Sequence, residues 1–234
     1  MPSATFHLRP NAAVADRVLL PGDPGRAMRL AQLLLAEPRM LNHNRGLWGY
    51  TGTAADGDEL TVQSTGMGGP SAAIVCEELI ALGARRLIRV GTCAALVAGP
   101  ALGDLLVADG ALARDGASRA LGGDGTATPD PELHAALRAA GNGARAGLVV
   151  SADLFYDPQP ERAAAWVADG ALAVEMETAT VFRVAARHGV AAACVLAVSD
   201  QLAGGGRERI EAAALEQAEQ ALGRVAAAAL GVPV

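Results

Sequence analysis

Lysine is missing from this chain of 234 residues: all 19 of its basic residues are arginine. That absence excludes Schiff-base chemistry and any P-loop whose lysine reaches a phosphate. Cysteine is scarce as well. Cys76, Cys93 and Cys194 are odd in number and far apart, with no C-x-x-C spacing, so neither a disulfide framework nor a zinc site is expected. They read as reduced thiols of a cytosolic protein. Aromatic residues make up only 3% of the chain. No apolar run reaches the ~18 residues of a membrane span, and MPSATFHLRPNAAVADR lacks the apolar centre of a secretory signal. The four histidines, His7, His43, His134 and His188, show no ligand spacing, so no metal is expected. A net charge of −6 offers no nucleic-acid surface. A small anionic ligand stays open, because local charge governs a site.

What is present is a chain 51% hydrophobic and 19% charged, long enough for a large core. Short apolar runs alternate with helical patterns. RVLL (17–20) predicts a first strand, closed by PGDPGR, with AMRLAQLLLAE following as a helix. LWGYTGT and ELTVQST flank Asp56-Gly57-Asp58, a hairpin signal. PSAAIVCEELIAL has helix punctuation in Pro70 and Gly83. RRLIRVG (85–91) predicts a buried strand running into a loop, and DLLVADGAL (104–112) another strand. RDGASRALGGDGTATPDPE reads as a surface excursion. ARAGLVV, ALAVEM and AAACVLAVS then alternate with helical segments, and a helix from about Arg207 to Leu230 ends the chain. The alternation predicts one α/β domain over 1–234, with a mostly parallel, mixed central sheet flanked by helices.

Ligands of such sheets collect at loops beyond the strand C-termini, and the unusual residues fall there. PGDPGR offers glycine amides and Arg26 at a helix start, an anion site or a plain tight turn. Arg89 lies inside an apolar strand and Thr92 in the small-residue stretch after it; a salt bridge and an oxyanion contact both suit that arginine. Arg45 precedes the hairpin, and SADLFY brings Phe155 and Tyr156 to a strand end. Glu175 and Glu177 sit two apart in the apolar run ALAVEMETATVF. On a strand they point to the same side, with Glu177 at the switch to a helix. Ser199-Asp200 ends the last apolar strand, where such a pair is also a common helix cap. Jointly these residues supply cations for a phosphate, a carboxylate for sugar hydroxyls, an aromatic for a base and an acid.

LLPGDPGRA, NHNRGLWGYTGT, TGMGGPSAAI, IRVGTCAAL, SADLFYDP, VEMETATVF and AVSD, in this order, resemble the nucleoside phosphorylases of the purine nucleoside phosphorylase and uridine phosphorylase family, in its hexameric bacterial form. The resemblance implies reversible phosphorolysis of purine nucleosides, with inorganic phosphate as co-substrate and no cofactor. It implies that Gly22, Arg26, Arg89 and Thr92 hold phosphate. Arg45 would reach the phosphate of a neighbouring subunit, and His7 a neighbour's ribose 5′-hydroxyl. Met176 and Glu177 would hold the ribose and Phe155 would face the base, with Val174, Glu175 and Ser199 completing the nucleoside-binding set. Asp200 would protonate purine N7, assisted by Arg209, or by Arg207 because the AGGG loop is shorter than the family's usual one. The implied assembly is a trimer of dimers with shared sites.

Some residues depart from that pattern. RDGAS and FYDPQPER look more like uridine phosphorylase, with Gln159 and Arg162 one residue out of register with its pyrimidine-reading pair. Ala94 stands where the family usually has glycine. A water-using nucleosidase would dispense with the phosphate arginines, and a non-catalytic nucleoside-binding protein would lose them or Asp200. All are present.

Overall fold

Four consecutive buried residues, Arg17–Leu20, form β1 in the computed structural model, which describes residues 5–159, 161–203 and 206–234. The arginine is tolerated inside because it makes a bidentate pair with Asp56 of the hairpin turn, at 2.5 and 2.7 Å, which holds that carboxyl down at about 2. Asp23 then caps α1 (Pro24–Leu34) by accepting from Arg26 N at 2.6 Å. The chain continues through β2 (Ala36–Asn42), β3 (Gly49–Thr53), β4 (Glu59–Gln63), α2 (Gly69–Ala81), β5 (Arg86–Ala95) and β6 (Leu105–Ala113). Next come α3 (Gly116–Gly122), β7 (Thr126–Ala127), α4 (Pro131–Ala140), β8 (Arg145–Ser151), α5 (Glu161–Ala168) and β9 (Ala171–Glu175). α6 (Thr178–Arg187), β10 (Ala191–Gln201), β11 (Glu208–Arg209) and α7 (Ala212–Ala229) end the fold.

The sheet is mixed. β4, β1, β5 and β10 run parallel, and β2 and β3 add an antiparallel edge. β6 pairs antiparallel with β10, β8 joins β6 and β9 in parallel, and β9 returns antiparallel to β5. These pairings close a ring, β5–β10–β6–β8–β9. Closure is possible because β5 is ten residues long. Arg86 to Arg89 pair with β1, while Ala94 and Ala95 have crossed over to β9. The stretch expected to be a loop after RRLIRV is therefore strand, held on both sides.

Two apolar layers cover the sheet. Leu87 faces a cluster with Val75, Leu79 and Phe182 from α2 and α6. Ile88 and Val90 face the other, with Leu30, Leu137, Leu222 and Ala226 from α1, α4 and α7. Period-two alternation thus turns Arg89 to the side of α2 and α6.

The Gly- and Asp-rich segment after β6 is more ordered than its composition suggests. Asp115 is fully buried, caps α3 through Ser118 N at 2.9 Å and accepts from Thr180 Oγ1 at 2.8 Å. Room for it exists only because α2 begins with Gly69. A Cβ there would lie 2.5 Å from Asp115 Oδ2, 2.8 Å from Thr180 Oγ1 and 2.9 Å from Ala117 Cβ. Gly69→Ala should therefore destabilise the protein by about 1–3 kcal/mol, the usual cost of overpacking. Chemical denaturation of the pair of proteins measures this, and an unchanged midpoint would show that α2 has slack at that point.

Candidate active site

The loops after β1 and β4 adjoin. Thr65 N donates to Pro21 O at 2.8 Å, and a Cβ on Gly22 would lie 3.3 Å from Gly66 O. Arg26, in the first turn of α1, is buried; its Nε donates to Glu219 Oε1 at 2.8 Å and its Nη1 to Val90 O at 3.4 Å. The second oxygen of Glu219 meets Arg29 Nη2 at 2.5 Å.

Arg89 is enclosed by two carboxylates. Its Nε donates to Glu175 Oε2 at 2.9 Å and its Nη2 lies 2.5 Å from Glu177 Oε2. Its Nη1 is buried with no hydrogen-bond partner among the described residues. Glu175 also accepts from Ser151 Oγ, from Glu177 N at 2.9 Å and from Thr178 N at 3.0 Å. It ends β9 and caps α6. Glu175, expected among the nucleoside-binding residues, meets only protein donors here and joins Arg89 to the start of α6. Glu177 accepts Gly68 N at 2.5 Å through its other oxygen.

Two anions and one cation in a buried space do not balance. Burial raises the Glu177 carboxyl above its ordinary range; Arg89 pulls it back, Glu175 pushes it further up, and Arg26 lies close enough to lower it. Burial pushes the Arg89 guanidinium downward, but Glu177 and Glu175 more than offset this and it ends raised. Burial pushes the neighbouring thiols of Cys76 and Cys194 up to about 12, and Cys93 is also raised.

Asp200 reaches the same end of the sheet from β10, after an irregularity in its pairing with β5 between Val198 and Asp200. It is buried, with Oδ2 accepting from Ser199 Oγ at 2.7 Å and Oδ1 facing Arg209 Nη1 at 3.4 Å. Ser199 Oγ also lies 3.3 Å from Cys93 O, a second acceptor open to its single proton, which brings this strand end against β5. Thr92, Val174 and Met176 are half-buried beside these groups in sequence and register. Phe155 is half exposed, packs edge-on to Tyr156 and has the Arg207 guanidinium 4.2 Å above its ring. Of the two arginines considered for Asp200, Arg209 faces it and Arg207 covers Phe155. Gly204 and Gly205 of the AGGG loop lie outside the described residues.

His7 and Arg45 are not gathered in. His7 Nδ1 is 2.8 Å from Glu78, ten residues along α2 from Gly68, or about 15 Å at 1.5 Å per residue. Arg45 is exposed in a short 3-10 turn, with φ 59° and ψ 19°. Glu219 was not foreseen. Its one signal is position: it falls in the buried stripe Ala218, Leu222, Gly223, Ala226 of α7, where it is the charged member. Among the described residues no group of three or more His, Cys, Asp or Glu is arranged to hold a metal, and no helix is long and apolar enough to cross a membrane. A cavity of about 450 Å³ lined by Arg85, Asp130, Phe182 and Ala191 lies at the opposite strand ends and shares none of these groups.

The mixed sheet brings Arg26, Arg89, Glu177 and Asp200 to one set of strand ends. The chain belongs to the Phosphorylase superfamily, whose model matches residues 16–232. Among its relatives is a protein of Roseobacter denitrificans, 37% identical over 235 residues and 97% of both chains. Others come from Geobacillus kaustophilus, 39% identical over 81% of this chain and 82% of the relative, and Clostridium perfringens, 40% identical over 81% and 83%. Each of the three is named "Purine nucleoside phosphorylase DeoD-type".

The raised Glu177 carboxyl has a measurable consequence. A carboxyl whose folded pKa exceeds its unfolded value supports folding below the unfolded value, and that support is lost as pH rises through the folded value. At neutral pH Glu177 therefore weakens the ligand-free fold. Glu177→Gln, which leaves a balanced Arg89–Glu175 pair, should raise Tm, with the gain over wild type growing as pH rises from about 4.5. Thermal melts across pH in phosphate-free buffer read this, and a gain independent of pH would refute the assignment.

Proposed function

We propose that the chain catalyses reversible phosphorolysis of purine nucleosides to free base and ribose 1-phosphate. The observation that carries this reading is the buried Arg89 Nη1, which has no acceptor among the described residues and lies on the residue that also holds Glu177. A buried cationic donor left unmade is costly, and a phosphate oxygen satisfies it. The names of the relatives support purines over uridine, as does Arg162, which pairs with Asp157 at 3.2 Å.

In this scheme Arg26, Arg89, Thr92 and the Gly22 amide hold phosphate beneath C1′ of the ribose. Glu177 accepts hydrogen bonds from the 2′- and 3′-hydroxyls, Met176 and Val174 line the sugar, and Phe155 with Ser199 flanks the base. A phosphate oxygen forms a bond to C1′ as the C1′–N9 bond breaks, through an oxocarbenium-like sugar. The released electron pair enters the purine, and the Asp200 carboxyl gives its proton to N7. Ser199 and Arg209 hold that carboxyl in place. Glu175 keeps Arg89 aimed. No metal or organic cofactor enters the scheme, and the three free, buried cysteines suit a cytosolic setting.

Base release from inosine should require inorganic phosphate, and equal rates without it would favour a nucleosidase. Asp200→Asn should slow inosine cleavage by ~10²–10⁴-fold, the range of general acid catalysis, while sparing 7-methylguanosine, whose base is already cationic. Equal loss on both substrates would leave Asp200 without the acid role.

His7 and Arg45 complete the site of a second subunit in this reading, so the working unit is a dimer, three of which form a hexamer. The distance of His7 along α2 and the exposure of Arg45, Phe6, Met67 and Tyr156 support it. Mixing inactive His7→Ala/Arg45→Ala chains with inactive Glu177→Ala chains should restore part of the activity. No recovery after verified subunit exchange would mean self-contained sites.

A further inference from the structure

The proposed phosphate arginine Arg26 does not stand alone. Its Nε edge is fixed by Glu219, a carboxylate 3% exposed that arrives from α7, 193 residues further along the chain. Glu219 is carried there by close helix packing. One turn later Gly223 faces α1 so tightly that a Cβ on it would lie 2.4 Å from Leu30 Cδ2. Through this approach a side chain of α7 can reach the first turn of α1. The opposite oxygen of Glu219 is held by Arg29, through Nε at 3.2 Å and Nη2 at 2.5 Å. The carboxylate is thus clamped on both sides and cannot turn away.

A lone Glu–Arg26 pair would cancel the charge that an anion needs. Here the cluster of Arg26, Glu219 and Arg29 keeps one net positive charge. Arg29 also spends itself on the carboxylate, with its side chain 38% exposed. Of the terminal nitrogens of Arg26, Nη1 donates to Val90 O at a long 3.4 Å. Holding the Nε edge leaves Nη2 with no hydrogen-bond partner among the described residues, so the carboxylate sets direction while Arg29 offsets its charge.

We propose that Glu219 is a positioning residue for the phosphate site, acting through Arg26. The inference rests on the reading of Arg26 as a phosphate ligand. Its test separates reach from charge. Glu219→Asp keeps the charge but shortens the side chain by one methylene, and Glu219→Gln keeps the reach and an oxygen acceptor for Nε but removes the charge. Binding of inorganic phosphate by calorimetry, without nucleoside, is compared with KM for phosphate and for inosine. Glu219→Asp should weaken phosphate binding roughly tenfold, within the ~10²-fold that a 1 Å misplacement brings, and leave KM for inosine within about twofold. Glu219→Gln should bind phosphate within about threefold of wild type. The reverse order, Gln impaired and Asp unaffected, would show an electrostatic role only and overturn the proposal. So would an equal rise in both KM values, the mark of general loosening. If wild type binds phosphate without cleaving nucleosides, the functional reading fails and calorimetry still decides the role of Glu219. If wild type binds no phosphate, both fall.

Discussion

Everything at the strand ends depends on one buried guanidinium shared between two carboxylates. Arg89 alone inside the apolar layer of α2 and α6 would carry an uncompensated charge, and so would either glutamate. Removing Arg89 or Glu175 from such a buried set would cost about 3–5 kcal/mol, whereas Glu177 is the surplus anion whose neutralisation relieves the set. The set also fixes geometry. Glu175 joins β9, β8 through Ser151 and the amides of α6, while Glu177 reaches the N-terminus of α2 through Gly68. Strands and helices from four parts of the chain are thereby aligned on a single side chain of β5. The imbalance of one negative charge is the price of keeping a carboxylate ready for hydroxyl groups.

The elements that position this set were readable where burial imposes a period. RVLL, the Asp-Gly-Asp hairpin and the apolar run of β10 follow their patterns because neighbours cover them. β2 was not readable: five of its seven residues are exposed, and it contains Pro38 and a Glu37 with φ 47°. An edge strand of that kind has no hydrophobic face to announce it. The small residues GTCAA look like a loop, yet they form strand because β9 and β10 both pair with them. Such pairing is a property of the ring and not of the segment.

The site was legible to a similar depth. Glu175 and Glu177 in an apolar run, and an arginine inside an apolar strand, each called for partners, but only the fold shows that they partner one another. Glu219 was hidden because Glu-Gln-Ala-Glu-Gln reads as a solvated helical surface, and only the position of α1 shows which of its faces is covered. The same holds for Asp115. A residue whose partner is supplied by a distant helix leaves no mark in its own neighbourhood.

The ring of β5, β10, β6, β8 and β9 has a consequence for synthesis on the ribosome. Ser199 and Cys93, which join its two longest strands, are 106 residues apart, and Glu219 is 193 from Arg26. The first contact has to wait until Ser199 has left the exit tunnel, and the second until Glu219 has. Until then β5, already paired with β1, waits without β10, the kind of long-range pairing that makes folding slow and leaves sheet surface open. A nascent chain of this topology thus exposes unpaired sheet until its last long strand emerges, and one cut before α7 lacks the carboxylate that holds Arg26.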